Sequence, residues 1–440
     1  MAEEKKAQEG LAPSVKATQA AAEVRSWRKW YYERINHAHD YGEFVALSML
    51  MIPDEIFRTF GVWASLAENY GPLCAAKQVS GHFCGVAEAE GFSMDVCSYL
   101  KTGIGYLIRG QQEGGTPPEA PYGGMGQIDM IIAPAVMCDG RYKYPLAAQR
   151  YVDVPYFIYD QMDMPYWRDE KDPEIKNRYV NYNYERMKEL VAFLERTTGK
   201  KFDEAKCSEH LDLWMKSHKL YHDASALKKC HPNPFPSQDS FATCFPNLHF
   251  KGTQECVDYY QGLYDEVKAR ADKKIGSVPG EEKFRIFWMG LPPWMYLGIF
   301  NYIQEKGVCT MDATYDAGDI PEEPVDLNNP LYAIAKKFYE GVWFANGHFR
   351  RLAPGARTAE WIKDHDIDGV ITLMATTCRP GSNLLFMRQT MADMSPVPVL
   401  NLEADMVDIR AFDEASVKAK IDAFLETVDA TKESRKRAGG

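Results

Sequence analysis

Short apolar runs alternate with longer stretches of helical period along most of the chain. Residues 129–136 (DMIIAPAV) and 154–159 (VPYFIY) are continuous apolar runs of strand length. After residue 280 the pattern returns at 284–289 (FRIFWM), 369–374 (GVITLM) and 397–402 (VPVLNL). Helical stretches lie between them. One is opened by Pro53, Asp54 and Glu55 and runs through Phe60, others cover 86–90 and 97–108, and an amphipathic helix closes the chain over 414–428. Continuous rather than alternating apolar strands predict parallel sheets with helices on both faces, an α/β fold of the Rossmann or flavodoxin-like kind.

Two regions depart from this alternation. Before residue 45 a polar lead runs into a helix carrying Val24, Trp27, Trp30, Tyr31 and Arg34, read as an arm that packs on another surface. In the middle, residues 177–198 and 207–227 are long, charged and helically periodic, which reads as a helical insert. The string HPNPFP at 231–236 cannot continue a helix and its prolines read as a loop that wraps a surface; a helix returns near 254–274. The predicted organisation is a helical arm over 1–45, a first α/β domain over 46–170, a mainly helical segment over 171–280, and a second α/β domain with its C-terminal helix over 281–440. The basic, glycine-ended tail at 434–440 is expected to fray. The two halves look alike in architecture without an alignable repeat.

Charge and composition narrow the function. The 440 residues carry 51 Lys and Arg against 62 Asp and Glu, a formal charge of −11, the wrong sign for a protein that neutralises phosphates along a duplex. No run of ~18 apolar residues is present to cross a bilayer. The first 22 residues lack the apolar centre of a secretory signal, so the cytoplasm is the expected compartment. Ten cysteines are too sparse for a disulfide scaffold, and in a reducing compartment thiols serve burial, catalysis or metal.

Ligands of open parallel sheets bind beyond the carboxyl ends of the strands, and two cysteines fall there. Cys138 follows the run 129–136 and Cys378 follows 369–374. Cys97 lies where a loop enters a helix, and the N–H groups there favour a thiolate. Three such thiolates suit an iron–sulfur cubane or a zinc ion; equally, cysteine fills core space near strand ends. Intervals of 41 and 240 residues match no compact ferredoxin or zinc-ribbon pattern. Cys74, Cys84, Cys207, Cys230, Cys244, Cys256 and Cys309 are read as core residues. Cys230 with His231, and Cys244 with His249, are spaced wrongly for a zinc knuckle.

Other motifs are weaker. Gly103 and Gly105 open a glycine-rich stretch without the strand-to-helix context of a dinucleotide site, and the Thr198 to Lys201 string lacks the residues of a phosphate-binding P-loop, so the chain is not expected to hydrolyse ATP itself. His37, His39 and His82 are possible proton donors with nothing in the sequence to single one out. Trp288, Trp294 and Tyr296 flank Pro292 and Pro293 and suit core packing.

The strings around the three cysteines, EGFSMDVCSY at 90–99, MCD at 137–139, and DGVI at 368–371 with TCRP at 377–380, resemble the 2-hydroxyacyl-CoA dehydratase and benzoyl-CoA reductase family. PVLNLEADMVDIRAF at 398–412 resembles that family's closing strand and acidic turn, and the likeness runs from about residue 51 to the terminal helix. It implies two α/β domains clasping a [4Fe–4S] cluster held by Cys97, Cys138 and Cys378. It also implies a heterodimer with a related cluster-bearing subunit, and a separate ATPase with its own cluster that supplies low-potential electrons. Within the family, the arm before Met51 and the segment MDMPYWR at 162–168 look closer to the larger cluster-bearing subunit of ATP-dependent benzoyl-CoA reductase, which implies an aromatic acyl-CoA substrate. A 2-hydroxyacyl-CoA dehydratase subunit is the alternative, and a scaffold for a paralogous subunit is the rival of another class.

Overall fold

The computed structural model describes residues 14–136, 138–161, 172–312, 314–315, 320–321, 324–339, 356–379 and 397–439. The segment 162–168, Met137 and Pro380 lie outside the described residues. In chain order the first part comprises α1 (Gln19–Asn36), β1 (Phe44–Ser48), α2 (Asp54–Thr59), β2 (Val62–Leu66), α3 (Ala67–Ala76), α4 (Ser80–Ala89), α5 (Ser98–Glu113), β3 (Met130–Pro134), α6 (Asp139–Ala148) and β4 (Tyr156–Tyr159). Four helices follow: α7 (Pro173–Thr198), α8 (Glu204–Ala226), α9 (Ser237–His249) and α10 (Gln254–Asp272). The remainder is β5 (Phe284–Met289), α11 (Ile299–Glu305), β6 (Val308–Met311), α12 (Pro330–Tyr339), α13 (Ala356–Asp364), β7 (Gly369–Ala375), β8 (Val399–Ala404) and α14 (Glu414–Gly439).

The fold is α/β with two four-stranded, all-parallel sheets, ordered β2-β1-β3-β4 and β6-β5-β7-β8. Each sheet repeats one topology: its first strand is central, its second lies outside, and its third and fourth extend the other way. The chain reverses direction across the sheet between β1 and β3, and again between β5 and β7. Crevices for ligands open at such points. Strand residues alternate between two apolar layers. Ile286 and Trp288 face a core shared with Ala46, Met130 and Ile132 of the first sheet and with Trp214 of α8, whereas Phe287 and Met289 face an outer cluster with Met311 and Val370. One continuous core therefore joins both sheets through the helical segment.

Three strands escaped the sequence pattern, each for a local reason. β2 passes into α3 at Leu66 and Ala67 with no glycine or proline between, β1 adjoins a long apolar run, and β6 has only four residues. The residues after the prolines, to which the pattern assigns no element, form a helix: 237–249 are α9, every residue of which is buried. A helix enclosed on all sides shows no polar face, so amphipathic period cannot reveal it. The terminal helix does not stop near 428 but runs to Gly439, with Lys432 Nζ donating to Lys283 O at 2.9 Å and to Asp368 Oδ2 at 2.8 Å.

The arm does pack, on its own chain. Thr18 caps α1, and the buried Asp239 carboxylate of α9 accepts from Ala17 N, Thr18 N and Thr18 Oγ1 at 3.0, 2.8 and 2.7 Å. Gly105 explains part of the glycine pattern: a Cβ there would lie 1.9 Å from Phe83 O, so its absence lets α5 cross α4 at backbone contact. Among the described residues no helix is long and apolar enough to cross a membrane.

Candidate functional site

Cys97 and Cys138 occupy equivalent local positions, each the residue that precedes a helix. Cys97 caps the N-terminus of α5, where its sulfur faces the N–H groups of Leu100 and Tyr99; Cys138 caps α6 and faces those of Arg141 and Gly140. The two helix starts converge because residue 140 is glycine: a Cβ there would come 2.7 Å from Leu100 Cδ1 and 3.7 Å from Cys138 Sγ. Cys378 sits in the turn after β7, its N–H donating to Ala375 O at 3.0 Å. Cys138 and Cys378 thus follow the third strand of their respective sheets. All three cysteines line one cavity of about 1140 Å³.

Hydrogen bonds across the sheets hold these loops together. Ser98 N donates to Thr377 Oγ1 at 3.2 Å, and Thr377 Oγ1 donates to Asp405 Oδ2 at 2.6 Å. The other Asp405 oxygen accepts from Val407 N and Asp408 N, both at 2.9 Å. The residues beside Cys97 and Cys378 are therefore clasped to each other and to the acidic turn after β8. A second tie runs from Trp294 Nε1 to the Tyr99 hydroxyl at 2.6 Å, with Trp294 N donating to Met406 O at 2.9 Å. On the Cys138 side, buried Arg141 pairs with Glu68 at 2.9 Å, and Glu68 accepts from Leu50 N at 2.7 Å, which fixes the loop after β1. Tyr99, Phe241, Trp294 and Tyr315 add an aromatic wall, with Trp294 and Tyr315 rings edge to face at 5.6 Å.

Burial pushes the Cys97 thiol well above its ordinary range, and neighbouring Cys378 and Cys138 add to the push while the Leu100 N–H opposes it. Burial also raises Cys138, with Arg141 opposing. Enclosed thiols in this position stay protonated until a cation arrives; coordination to a metal deprotonates them outright. Among the described residues no group of three or more His, Cys, Asp and Glu side chains is spaced to hold a single metal ion. The donor set fits a cluster better: three soft sulfurs from separate elements, N–H donors aimed at two of them, and room between, since each thiolate of a cubane binds a different iron.

The other sequence candidates lie elsewhere. His37, His39 and His82 are exposed and paired with Asp40, Asp129 and Glu119. His231 bonds Asp366 and the Arg285 guanidinium, which also takes the Cys230 carbonyl, whereas His249 bonds Asn69, so no zinc set forms there. Cys74, Cys84, Cys207, Cys244, Cys256 and Cys309 are buried core residues, and Cys230 is only half-buried. Trp288 is buried in the core, but Trp294 faces the cavity. The Thr377–Asp405 clasp and the Arg141–Glu68 pair were missed; the only hint in the sequence was a threonine beside Cys378 and the acidic string at 403–408.

A family profile described as 2-hydroxyglutaryl-CoA dehydratase, D-component, matches residues 49–428. The chain is 26% identical over 400 residues to the (R)-phenyllactyl-CoA dehydratase alpha subunit of Clostridium sporogenes, covering 90% of this chain and 92% of that one. It is 24% identical over 405 residues to the (R)-2-hydroxyisocaproyl-CoA dehydratase alpha subunit of Clostridioides difficile, with 91% and 94% covered. A benzoyl-CoA reductase subunit of Thauera aromatica is 25% identical over 429 residues, with 93% of each chain covered.

Proposed function

The chain belongs to the 2-hydroxyglutaryl-CoA dehydratase D-component family, and from that premise we propose that it is the cluster-bearing subunit of an enzyme that dehydrates a 2-hydroxyacyl-CoA. Cys97, Cys138 and Cys378 hold a [4Fe–4S] cluster in this reading. The observation that carries it is the arrival of three cysteines, from three separate elements, on the wall of one cavity. When bound, the cluster supplies single electrons of low potential to a thioester carbonyl. The partners are a related second subunit and a separate ATPase carrying its own cluster, and the relatives above are themselves named as subunits.

The protein's own groups have definable tasks. The N–H groups of Tyr99, Leu100, Gly140 and Arg141 face the Cys97 and Cys138 sulfurs and favour their anionic form. The aromatic wall of Tyr99, Trp294 and Tyr315 keeps water from the carbonyl, which protects an added electron from loss to solvent protons. That wall also supports a second reading, ATP-dependent reduction of benzoyl-CoA to a cyclic diene, because flat rings pack well against it and one relative is a benzoyl-CoA reductase subunit.

Anaerobic iron and acid-labile sulfide analysis tests the cofactor. Cys97→Ser, Cys138→Ser and Cys378→Ser each deplete iron, while Cys207→Ser and Cys256→Ser do not; equal iron in all five removes the ligand assignment. Phenyllactyl-CoA and benzoyl-CoA offered separately, with reductant, ATP and the partner proteins, separate the two chemistries. Turnover of benzoyl-CoA alone reverses their order.

A further inference from the structure

The same cavity has a second wall of different chemistry, built by α1 and α3. Ala22, Arg25 and Arg28 line it from one face of α1 at successive three-residue steps; Leu73 and Lys77 line it from α3 and its C-cap, and Tyr122 closes the rim. Of the cations near the cysteines, Arg141 pairs with Glu68, Lys101 with Glu88 and Lys143 with Asp139, and Arg379 acts on the same Asp139 carboxylate. Arg25, Arg28 and Lys77 make no ion pair among the described residues. Arg28 and Lys77 meet only ring faces, those of Phe245 and Tyr122, each 5.7 Å from the centroid. The carboxylates on the lining, Glu68, Asp95 and Asp139, stand beside the cysteine loops or on the Arg141 pair. In a chain of net charge −11, three unmatched cations on one wall of a cavity call for an anion.

Tyr122 adds a second, independent observation. Its backbone sits in the left-handed region at φ 55°, which a non-glycine residue adopts only when its surroundings enforce it. They do: Asn36 Nδ2 donates to Tyr122 O at 2.8 Å, and the Tyr122 ring stacks on Tyr32 at 5.7 Å and 24°. The strained turn holds an aromatic ring at the rim, beside the cations.

We infer that the α1/α3 wall is the nucleotide subsite for the CoA handle, with the phosphates drawing Lys77 off the Tyr122 ring to join Arg25 and Arg28, and the adenine taking its place on that ring face. The inference rests on the CoA-thioester reading above and assigns residues to the nucleotide end of that ligand. Stacking on an aromatic ring and pairing with flexible cations are the usual means of gripping a purine and its phosphates.

Calorimetric titration of the purified full-length protein with adenosine 3′-phosphate 5′-diphosphate, the CoA fragment without thiol, tests it at low and high salt. The fragment binds the wild-type protein, and Arg25→Ala with Arg28→Ala weakens it by ~10-fold or more and flattens the salt dependence. Tyr122→Leu weakens it by ~10-fold while leaving the salt dependence in place. Lys201→Ala, an exposed cation away from the cavity, changes nothing. If the double variant unfolds, Arg25→Gln on the exposed side of α1 gives the same readout. Absence of binding to wild type, or wild-type affinity in folded variants, overturns the subsite. Turnover distinguishes the two ideas: CoA-thioester turnover with unaltered KM in the variants removes the subsite and keeps the enzyme reading. Fragment binding that the variants lose, in a holoenzyme inert toward every CoA thioester, keeps the nucleotide site and removes the reading.

Discussion

Replacing Thr377 by valine tests how the cysteine loops are held. Valine keeps the volume and β-branching of threonine and removes only the hydroxyl. That hydroxyl donates to Asp405 at 2.6 Å and accepts from Ser98 N at 3.2 Å. A hydrogen bond to a charged group contributes about 1.5–3 kcal/mol and a neutral one about 0.5–1.5. Thr377 is half-buried, so water recovers part of both, and the expected net loss is about 1–3 kcal/mol. Differential scanning calorimetry of the purified protein should show the midpoint falling by about 1–3 °C, roughly 1 °C per kcal/mol for a chain of 440 residues. In the cluster reading proposed above, the clasp joins the neighbours of two ligands, Cys97 and Cys378, so iron content should fall in parallel. Thr377→Ser keeps both bonds and should retain the wild-type midpoint and iron. A valine variant with unchanged midpoint and full iron, or a serine variant as damaged as valine, would refute the clasp as the device that sets the two loops.

Other expectations rest on the same packing and pairing. Gly105→Ala puts a Cβ 1.9 Å from Phe83 O and should destabilise by roughly 1–3 kcal/mol or more in urea unfolding, while Gly85→Ala, with nothing within 4 Å, should be neutral or slightly stabilising. Arg410 first, and then Lys101, hold the Glu88 carboxyl down to about 2. A carboxyl lowered on folding stabilises the protein above its unfolded value, and that contribution is lost as pH falls from ~4.5 toward 2. Glu88→Gln should therefore flatten the melting midpoint across that window and leave its slope near neutrality unchanged. Asp239→Ala leaves Ala17 N and Thr18 N without their acceptor, so limited proteolysis should cut ahead of α1 faster than in wild type; equal rates would show that the carboxylate does not anchor the arm.

Much of the architecture was readable because parallel strands covered on both faces must be apolar at every position. That requirement made 284–289, 369–374 and the 129–136 run visible without an alignment, and it put Cys138 and Cys378 just past strand ends. Cys97 was legible as a helix cap for a similarly local reason. The sequence could not reveal α9, since a helix buried on every side has no polar stripe, nor β2, whose junction with α3 carries no breaking residue. Nor could it reveal the partners that act across the fold: Thr377 with Asp405, Trp294 with Tyr99, and Arg25, Arg28 and Lys77 on the lining of the cavity that the three cysteines share. A residue's own chemistry and the period of its neighbours are properties of the chain. Which distant groups share a wall depends on how two sheets and a helical segment close on one core, and only the folded molecule decides that.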